Sequence, residues 1–365
     1  MATTPSPRQR AGADPGTARG RESAPGAGRR RVWPLVAALA ILVLMLGIGA
    51  MCLGNYRITP LTVARVLASR VPGVDIVPDW PKAAETVILQ VRMPRTLGAL
   101  MVGGALSLSG ATYQGVFKNP LVSPDLLGVS AGACVGAASA ILLHTGRASL
   151  QVLALATGLG AVALATFIPR LLRNTSTMAL VLSGIIVAGL MNSTLGLLKY
   201  MADPETELAE ITYWMMGSFS QLEGTEVMVV LPIMAAAATV LLALRWRINL
   251  LSLGDQQARS LGVPLRPTRL TTITCATALT GCAVCISGTV GWVGLVVPHI
   301  GRLIAGPDNT RLLPVSLVVG GAFMLVVDTA ARTLSSAEIP LSILTGFIGA
   351  PLYIWLLFQQ RVRLQ

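Results

Sequence analysis

Long uninterrupted apolar runs dominate the pattern of the chain, and short polar segments separate them. The first run is uncharged and covers residues 32–53. Nine more runs cover 94–116, 123–143, 150–169, 178–198, 226–244, 270–289, 290–305, 312–331 and 341–358. Because one helical crossing takes about 20 residues, the pattern predicts an all-α, polytopic membrane protein with ten transmembrane helices in a domain spanning 32–365. The run 290–305 is short and contains Pro298, which predicts a broken or tilted element.

The segment before the first run is of a different kind. Residues 1–31 are rich in Pro, Gly, Ala and Arg, a composition that cannot bury enough apolar surface to fold, so we predict a disordered tail. An even number of crossings places both termini on one side of the membrane. A cytoplasmic N-terminus puts 19 of the 28 Lys and Arg residues on the cytoplasmic side, as the positive-inside rule requires. The sequence therefore predicts a multi-pass membrane protein with both termini cytoplasmic.

Composition supports this interpretation. Hydrophobic residues make up 53% and charged residues 12% of the chain, about half the charge of a soluble domain. This balance excludes an ordinary cytosolic enzyme, a disordered protein and a small disulfide scaffold. The net charge is +12, but the basic residues punctuate apolar runs without interleaved aromatic residues. They indicate contact with a lipid bilayer and no binding of nucleic acid.

The chain lacks the motifs of common enzymes. None of its three lysines follows a glycine, so it has no phosphate-binding P-loop, and it contains neither G-x-S-x-G nor H-E-x-x-H. We therefore predict no catalytic residue, no cofactor and no metal site in this chain. Cys282 and Cys285 form a C-x-x-C pair on a hydrophobic helix, which favours helix packing; a redox or iron-binding role is the alternative.

Two further features concern charge. Asp328, near the end of the ninth run, is the main candidate for a buried charge, and an ion pair with Arg332 one turn later is the simplest interpretation. So few acidic residues in the membrane argue against an ion-coupled transporter. In the polar segment 245–269, Asp255 favours the start of a short helix, and Gly262 and Pro264 favour its end. This helix is either a surface turn or a docking element.

The chain resembles the permease subunits of type II ATP-binding-cassette importers, the FecCD-like family that takes up iron–siderophores, haem and cobalamin. The resemblance covers about residues 55–358. The matching stretches are Arg92-Met-Pro-Arg95, Gly103-Gly-Ala-Leu-Ser-Leu-Ser-Gly110, Lys118-Asn-Pro-Leu-Val-Ser-Pro-Asp125 with its continuation to Gly132, Tyr213-Trp-Met-Met-Gly217, Leu253-Gly-Asp-Gln-Gln-Ala-Arg-Ser-Leu-Gly262, Gly291-Trp-Val-Gly-Leu-Val-Val-Pro-His-Ile-Gly-Arg302, Glu338-Ile-Pro-Leu and Gly349-Ala-Pro-Leu-Tyr-Ile-Trp355.

The resemblance implies the ten-span type II permease fold, a location in the bacterial plasma (inner) membrane, and a set of partners. These are a second permease subunit, identical or homologous, two ATP-binding subunits that bind ATP and Mg²⁺, and an extracytoplasmic substrate-binding protein. The implied cargo is an iron–siderophore complex, with haem or cobalamin as alternatives. An ion-coupled secondary transporter is the alternative from a different class.

The resemblance also implies roles for particular residues. Docking of the binding protein falls to Arg92, Arg95 and Arg332, since guanidinium groups pair with carboxylates; interfacial arginines without a docking role are the alternative. A cytoplasmic gate is implied at Asn119, Leu121, Ser176 and Thr177, where helix-capping turns are the alternative. Coupling to the ATPase is implied at Leu253, Gly254, Asp255, Ala258, Leu261 and Gly262. His299 is expected to be structural.

Overall fold

The computed structural model describes residues 32–54, 56–173, 176–335 and 337–362. The predicted tail, 1–31, lies outside them. Within this part of the chain every regular element is a helix, which confirms the all-α prediction. In chain order the α-helices are α1 (Val32–Cys52), α2 (Pro60–Ala68), α3 (Lys82–Thr86), α4 (Met93–Phe117), α5 (Val129–Leu142), α6 (Arg147–Leu171), α7 (Thr177–Met201), α8 (Glu207–Met216), α9 (Gly224–Ala243), α10 (Arg245–Leu253), α11 (Asp255–Ser260), α12 (Leu265–Ser287), α13 (Val293–Ala305), α14 (Asn309–Ala331) and α15 (Leu341–Val362).

Two other helical segments connect longer helices. A π-helix, Val87–Arg92, joins α3 to α4, and a 3-10 helix, Pro124–Leu127, precedes α5. Each of the ten predicted apolar runs contains one of the longer α-helices. Six of the described helices, α1, α6, α7, α9, α12 and α14, are long and apolar enough to cross a membrane. Helix α4 has the length but is not among these six, and the apolar parts of α5, α13 and α15 are shorter, so the count of ten crossings stays a prediction.

Helix α13 explains the short run 290–305. It has 13 residues, which at 1.5 Å each extend about 20 Å, less than the roughly 30 Å of a bilayer core. Trp292, directly before it, has a φ of 70°, and a left-handed backbone is unusual for a large side chain. The chain therefore turns sharply inside the bundle before α13 begins, as expected for a broken element.

Helix α4 forms the centre of the bundle, since 21 of its 25 residues are buried. Glycines at its crossings allow direct backbone contact. A Cβ atom on Gly103 would overlap the carbonyl oxygen of Gly320 in α14, and one on Gly110 would overlap that of Gly294 in α13. Membrane helices associate through such close packing of small residues, because lipid supplies no hydrophobic force between them. The glycines of α4 therefore fix its distance from two neighbours.

Hydroxyl groups add specific contacts between α4 and α12. The Ser109 hydroxyl donates to the carbonyl oxygen of Ala276 at 2.8 Å, and the hydroxyls of Tyr113 and Thr277 share a hydrogen bond of 2.7 Å. All four residues are buried. These bonds fix the rotation of α12 against α4, which small-residue packing alone leaves free.

Polar side chains cluster at the two opposite ends of the bundle, which are named here after one residue each. The Arg95 end contains the start of α4 and the ends of α1 and α14. The Lys118 end contains the end of α4 together with α10 and α11.

A Gly103→Ala substitution tests the central crossing. Its methyl group has no room beside Gly320, so we expect a loss of about 1–3 kcal/mol in the free energy of unfolding, the usual effect of overpacking. Denaturant titration of the protein in detergent measures it. Gly196→Ala in α7 is the control, since nothing lies within 4 Å of the added Cβ. Equal stability of the two variants would contradict the packing account.

Candidate functional site

The turn after α4 is stabilised by a hydrogen bond within it and by a second one to α13. Lys118, its first residue, adopts a left-handed backbone with a φ of 53°. The side-chain oxygen of Asn119 accepts the backbone N–H of Leu121 at 2.9 Å, and His299 Nε2 lies 3.0 Å from the carbonyl oxygen of Pro120. Leu121 is 58% exposed. Asn119 thus shapes this turn and Leu121 projects from it, while a gating role for either residue stays a prediction.

The second predicted gate lies where α7 begins. Ser176 is the N-cap of α7, and its hydroxyl accepts the backbone N–H of Ala179 at 3.1 Å. Thr177 is the first residue of the helix. The helix-capping alternative is therefore confirmed for Ser176, because its hydroxyl satisfies an N–H that the helix leaves unpaired. Whether these residues also narrow a pathway stays a prediction.

The predicted coupling segment is a pair of short helices joined at Gly254. The expected helix starting at Asp255 is present as α11, and Gly262, with a φ of 77°, follows it. Helix α10 directly before it was not predicted, because its apolar residues follow no clear helical period. Gly254 has a φ of 129°, a conformation open to glycine and strained for other residues. The sharp corner between α10 and α11 therefore depends on this glycine.

The apolar side chains among the six residues assigned to ATPase contact divide into two groups. Leu253 and Leu261 are 55% and 54% exposed and form an apolar surface on the Lys118 end. Ala258, in contrast, is fully buried and packs within the core of this chain. The predicted contact role is therefore wrong for Ala258, whose methyl group seats α11 on the bundle.

Asp255 connects the coupling segment to two other elements. Its Oδ1 atom lies 3.1 Å from Lys118 Nζ and 2.7 Å from Arg269 Nη2. Partial burial alone would raise the pKa of Asp255, but the hydrogen bonds and positive charges of Lys118 and Arg269 outweigh it and hold the pKa below its ordinary value. A charged Asp255 thus joins α11 to the predicted gate turn and to the start of α12. The sequence indicated a helix start here and gave no sign of the two partners.

At the opposite end, Arg95 forms a buried ion-pair network. Its Nε atom donates to Asp328 at 2.7 Å, and its Nη1 and Nη2 atoms donate to the Glu338 carboxylate at 3.0 and 2.7 Å. Arg95 and Asp328 are 8% and 1% exposed. The predicted pair of Asp328 with Arg332 is present but longer, at 3.6 Å. The main partner of Asp328 therefore comes from α4, far away in sequence, where i,i+4 spacing could not reveal it.

Arg92 and Arg332 both hold the end of α1. Arg92 donates to the carbonyl oxygens of Met51 and Tyr56, and Arg332 donates to those of Ala50 and Leu53. The carbonyls of Ala50 and Met51 belong to the last turn of α1, where carbonyl groups lack partners within the helix and carry partial negative charge, so a guanidinium group stabilises each of them.

The three arginines predicted to dock a binding protein are thus occupied within this chain. Arg92 is 5% exposed, and the Arg332 side chain is 13% exposed. The structure gives them internal bonds, and docking stays a prediction. In contrast, exposed ion pairs such as Arg65 with Asp79 lie on the segment between α1 and α4.

The described residues contain no group of three or more His, Cys, Asp or Glu side chains placed to hold a metal ion. All five cysteines are free, and Cys282 and Cys285 are buried in α12. Buried thiols on one helical face are typical of packing.

Comparison with known proteins agrees with these observations. The FecCD transport family matches residues 39–359. A molybdate import system permease of Haemophilus influenzae is 37% identical over 87% of this chain and 94% of its own length. An iron chelatin transport system permease of Helicobacter pylori is 38% identical over 75% of this chain and 83% of its own. A vitamin B12 import system permease of Klebsiella pneumoniae is 36% identical, covering 84% and 94%.

A solved structure shows the same architecture. An inward-facing conformation of a metal-chelate type ABC transporter superposes with a TM-score of 0.80 at 36% identity. It covers 89% of this chain and 99% of the other. The arrangement of helices described above is therefore shared with a transporter along nearly its whole length.

Replacing Arg95 tests the buried network. Arg95→Gln leaves Asp328 buried without its main partner, so we expect the free energy of unfolding to fall by about 3–5 kcal/mol. Arg65→Gln is the matched control, because both partners of that pair are exposed and such pairs contribute about 0–1 kcal/mol. Denaturant titration in detergent measures both variants. A loss no larger for Arg95→Gln than for Arg65→Gln would contradict the buried-network account.

Proposed function

We propose, because the chain belongs to the FecCD transport family, that this ABC importer permease moves an iron–siderophore complex across the plasma membrane into the cytoplasm. The observation that carries the importer assignment is the match along nearly the whole length of both chains to a metal-chelate type ABC transporter. That structure favours a metal chelate as cargo, and the iron chelatin relatives favour iron as its metal.

The two ends of the bundle are proposed to face different compartments and to bind different partners. The Lys118 end faces the cytoplasm, where Leu253 and Leu261 contact one of two ATP-binding subunits that bind ATP and Mg²⁺. A second permease subunit, identical or homologous, pairs with this chain across the pathway. The Arg95 end faces the extracytoplasmic binding protein.

The chain itself contributes two conformations rather than bond chemistry. ATP binding closes the ATPase pair, and the coupling segment transmits this movement to the bundle. The bond from Asp255 to Lys118 supports a direct route, because Lys118 is the first residue of the predicted gate turn. Displacement of α11 thereby pulls on Asn119 and Leu121 without passing through the rest of the core.

Docking of the binding protein at Arg92, Arg95 and Arg332 remains part of the proposal. Because each of these arginines already bonds within this chain, docking has to accommodate those bonds. A binding protein must add carboxylates to guanidinium groups that already have partners, or displace those partners. The Arg95→Gln and Arg65→Gln variants test this. A docking role predicts that affinity for the binding protein falls for Arg95→Gln at temperatures where this variant is still folded.

Haem and cobalamin are the alternatives within the family, and the vitamin B12 relative favours the second of these. The similarity to a molybdate permease adds an oxyanion that the sequence did not suggest. Uptake by cells lacking this gene distinguishes the cargoes. We expect uptake of a radiolabelled ferric siderophore to be lost and to return with the wild-type gene, while cyanocobalamin, haem and molybdate uptake stay unchanged. Loss of one of those three instead would reject the iron assignment and keep the permease class.

An Asp255→Asn substitution tests the coupling route. It removes the charge that pairs with Lys118 and Arg269, so we expect transport to fall at least about fivefold, the lower range of typical coupling energies. ATP hydrolysis by the assembled complex should continue. The measurement is the ratio of substrate transported to ATP hydrolysed in proteoliposomes.

The control for that experiment is Asp203→Asn, the same chemical change in a loop where the carboxylate bonds only to Thr206 and Glu205 nearby. A wild-type ratio in Asp255→Asn would contradict the route through Lys118. Failure of the complex to assemble would show that Asp255 acts in subunit contact instead.

A further inference from the structure

A cavity of about 370 Å³, with both polar and apolar groups in its wall, lies beside the 3-10 helix and has no part in the mechanism above. Its wall contains Asp125, Ser130, Asn192, Trp292 and Ser342, contributed by five separate parts of the chain. Such a mixture of carboxylate, amide and hydroxyl groups is unusual on the face of a membrane bundle, where lipid favours apolar side chains.

The position of Asp125 within the bundle follows from its neighbours. The ring of Pro124 abuts Gly294, which in turn contacts Gly110, seven residues before the end of α4. On the other side, the carbonyl of Leu126 abuts Gly184, seven residues into α7. At 1.5 Å per residue both measures place the 3-10 helix about 10 Å inside the bundle from the Lys118 end.

The sequence alone did not predict that Asp125 lies this far inside the bundle. Asp125 follows the polar turn after α4 by a few residues, and the apolar pattern does not show that the chain folds back into the bundle there. The visible signal was the pair of Pro124 and Gly128 around Asp125, which favours a short turn before α5. At least two carboxylates, those of Asp125 and Asp328, therefore lie within the length of the helix bundle.

The two carboxylates have opposite surroundings. Asp328 is buried and bonded to Arg95, whereas Asp125 is exposed to the cavity and accepts a hydrogen bond from the hydroxyl of Ser130. Within the part of the chain that the structure describes, no Lys, Arg or His nitrogen lies within 4.0 Å of Asp125, while nine ion pairs are found elsewhere. Asp125 thus places an unpaired acidic group on an open surface.

Contact between lipid acyl chains and this surface is energetically unfavourable. A charged side chain within the hydrocarbon region is costly, and such residues face water-filled cavities or bundle interiors and mark the paths of substrates. The Asn192 side chain adds an amide that has no hydrogen-bond partner among the described residues. Water and protein, rather than acyl chains, are therefore the expected neighbours of the cavity.

We propose that this cavity is the substrate-contacting chamber of the translocation pathway, and that the Asp125 carboxylate makes the chamber favour neutral or cationic complexes over anions. The proposal rests on the proposed function and narrows its substrate class. Ferric trihydroxamates, which are neutral or singly positive, fit such a chamber. Free oxyanions such as molybdate, and strongly anionic ferric tricatecholates, are disfavoured.

The test measures the charge preference of the chamber without using a substrate. All five cysteines are replaced, and Asn192→Cys supplies one reporter thiol in the cavity, in the full permease–ATPase complex. The rates of its modification by a cationic and an anionic methanethiosulfonate reagent are compared, and each rate is normalised to that of a reporter on the exposed loop, Ser220→Cys. Because opposite probe charges respond oppositely to one nearby carboxylate, we expect a normalised cation-to-anion ratio of about tenfold or more.

Two variants show whether Asp125 is the source of the preference. Asp125→Asn should lower the ratio toward that of the exposed reporter, and Asp125→Glu should keep it high. A normalised ratio near one in the protein that retains Asp125 would overturn the proposal whether or not Asp125→Asn assembles. An unchanged ratio in Asp125→Asn would also overturn the proposal. Failure of both reagents to modify the Asn192→Cys reporter, with and without ATP, would overturn it as well.

These results are separable from the uptake experiment. A high ratio that depends on Asp125, combined with no loss of iron uptake in cells lacking the gene, would keep the charged chamber and reject iron as cargo. A ratio near one, combined with loss of ferric siderophore uptake, would keep the proposed function and reject the role of Asp125.

Discussion

Direct backbone contact at the crossings of α4 is the constraint on which the other features depend. Gly103 and Gly110 bring α14 and α13 against α4, and hydroxyl bonds fix α12 on another side. A helix this closely packed cannot bend freely or rotate alone. It extends about 37 Å at 1.5 Å per residue, so it links the two polar ends of the bundle as one rigid element.

Because α4 is rigid, the charged groups at its two ends are mechanically linked. Arg95, near the start of α4, holds α14 and the segment before α15 through Asp328 and Glu338. Lys118, directly after its end, holds the coupling segment through Asp255. Movement of α11 therefore reaches a helix that is also bonded at the opposite end. Under the proposed function, α4 is then a physical route between the end assigned to the ATPase and the end assigned to the binding protein.

The sequence supported the general architecture better than the contacts. Apolar runs predicted all the long helices, and Asp255 with Gly262 located α11, since these features follow from local chemistry. The partner of Asp328, the bonds of Arg92 and the depth of Asp125 depend on residues far apart along the chain. Local spacing could suggest Arg332 for Asp328, but only the packed bundle brings Arg95 closer. Ala258 was misassigned because a motif carries no information about which side of a short helix faces inward.

The transported substrate was the feature that the sequence predicted least well, again because it depends on residues that only the fold brings together. Relatives that are about equally similar carry names for iron chelate, vitamin B12 and molybdate transport. A pathway shared by such different ligands contributes little recognition through its fold. Under the proposal for the chamber, individual side chains, Asp125 above all, distinguish one cargo class from another through charge.

The central claim is that ATP hydrolysis by a partner drives this permease, and purified components in liposomes test it most directly. The complex of permease, ATPase and binding protein is reconstituted without any ion gradient, and substrate accumulation is measured with trapped ATP or with a non-hydrolysable analogue. The account predicts accumulation with ATP alone. Accumulation that requires a proton or sodium gradient and proceeds without ATP would contradict it and favour an ion-coupled transporter.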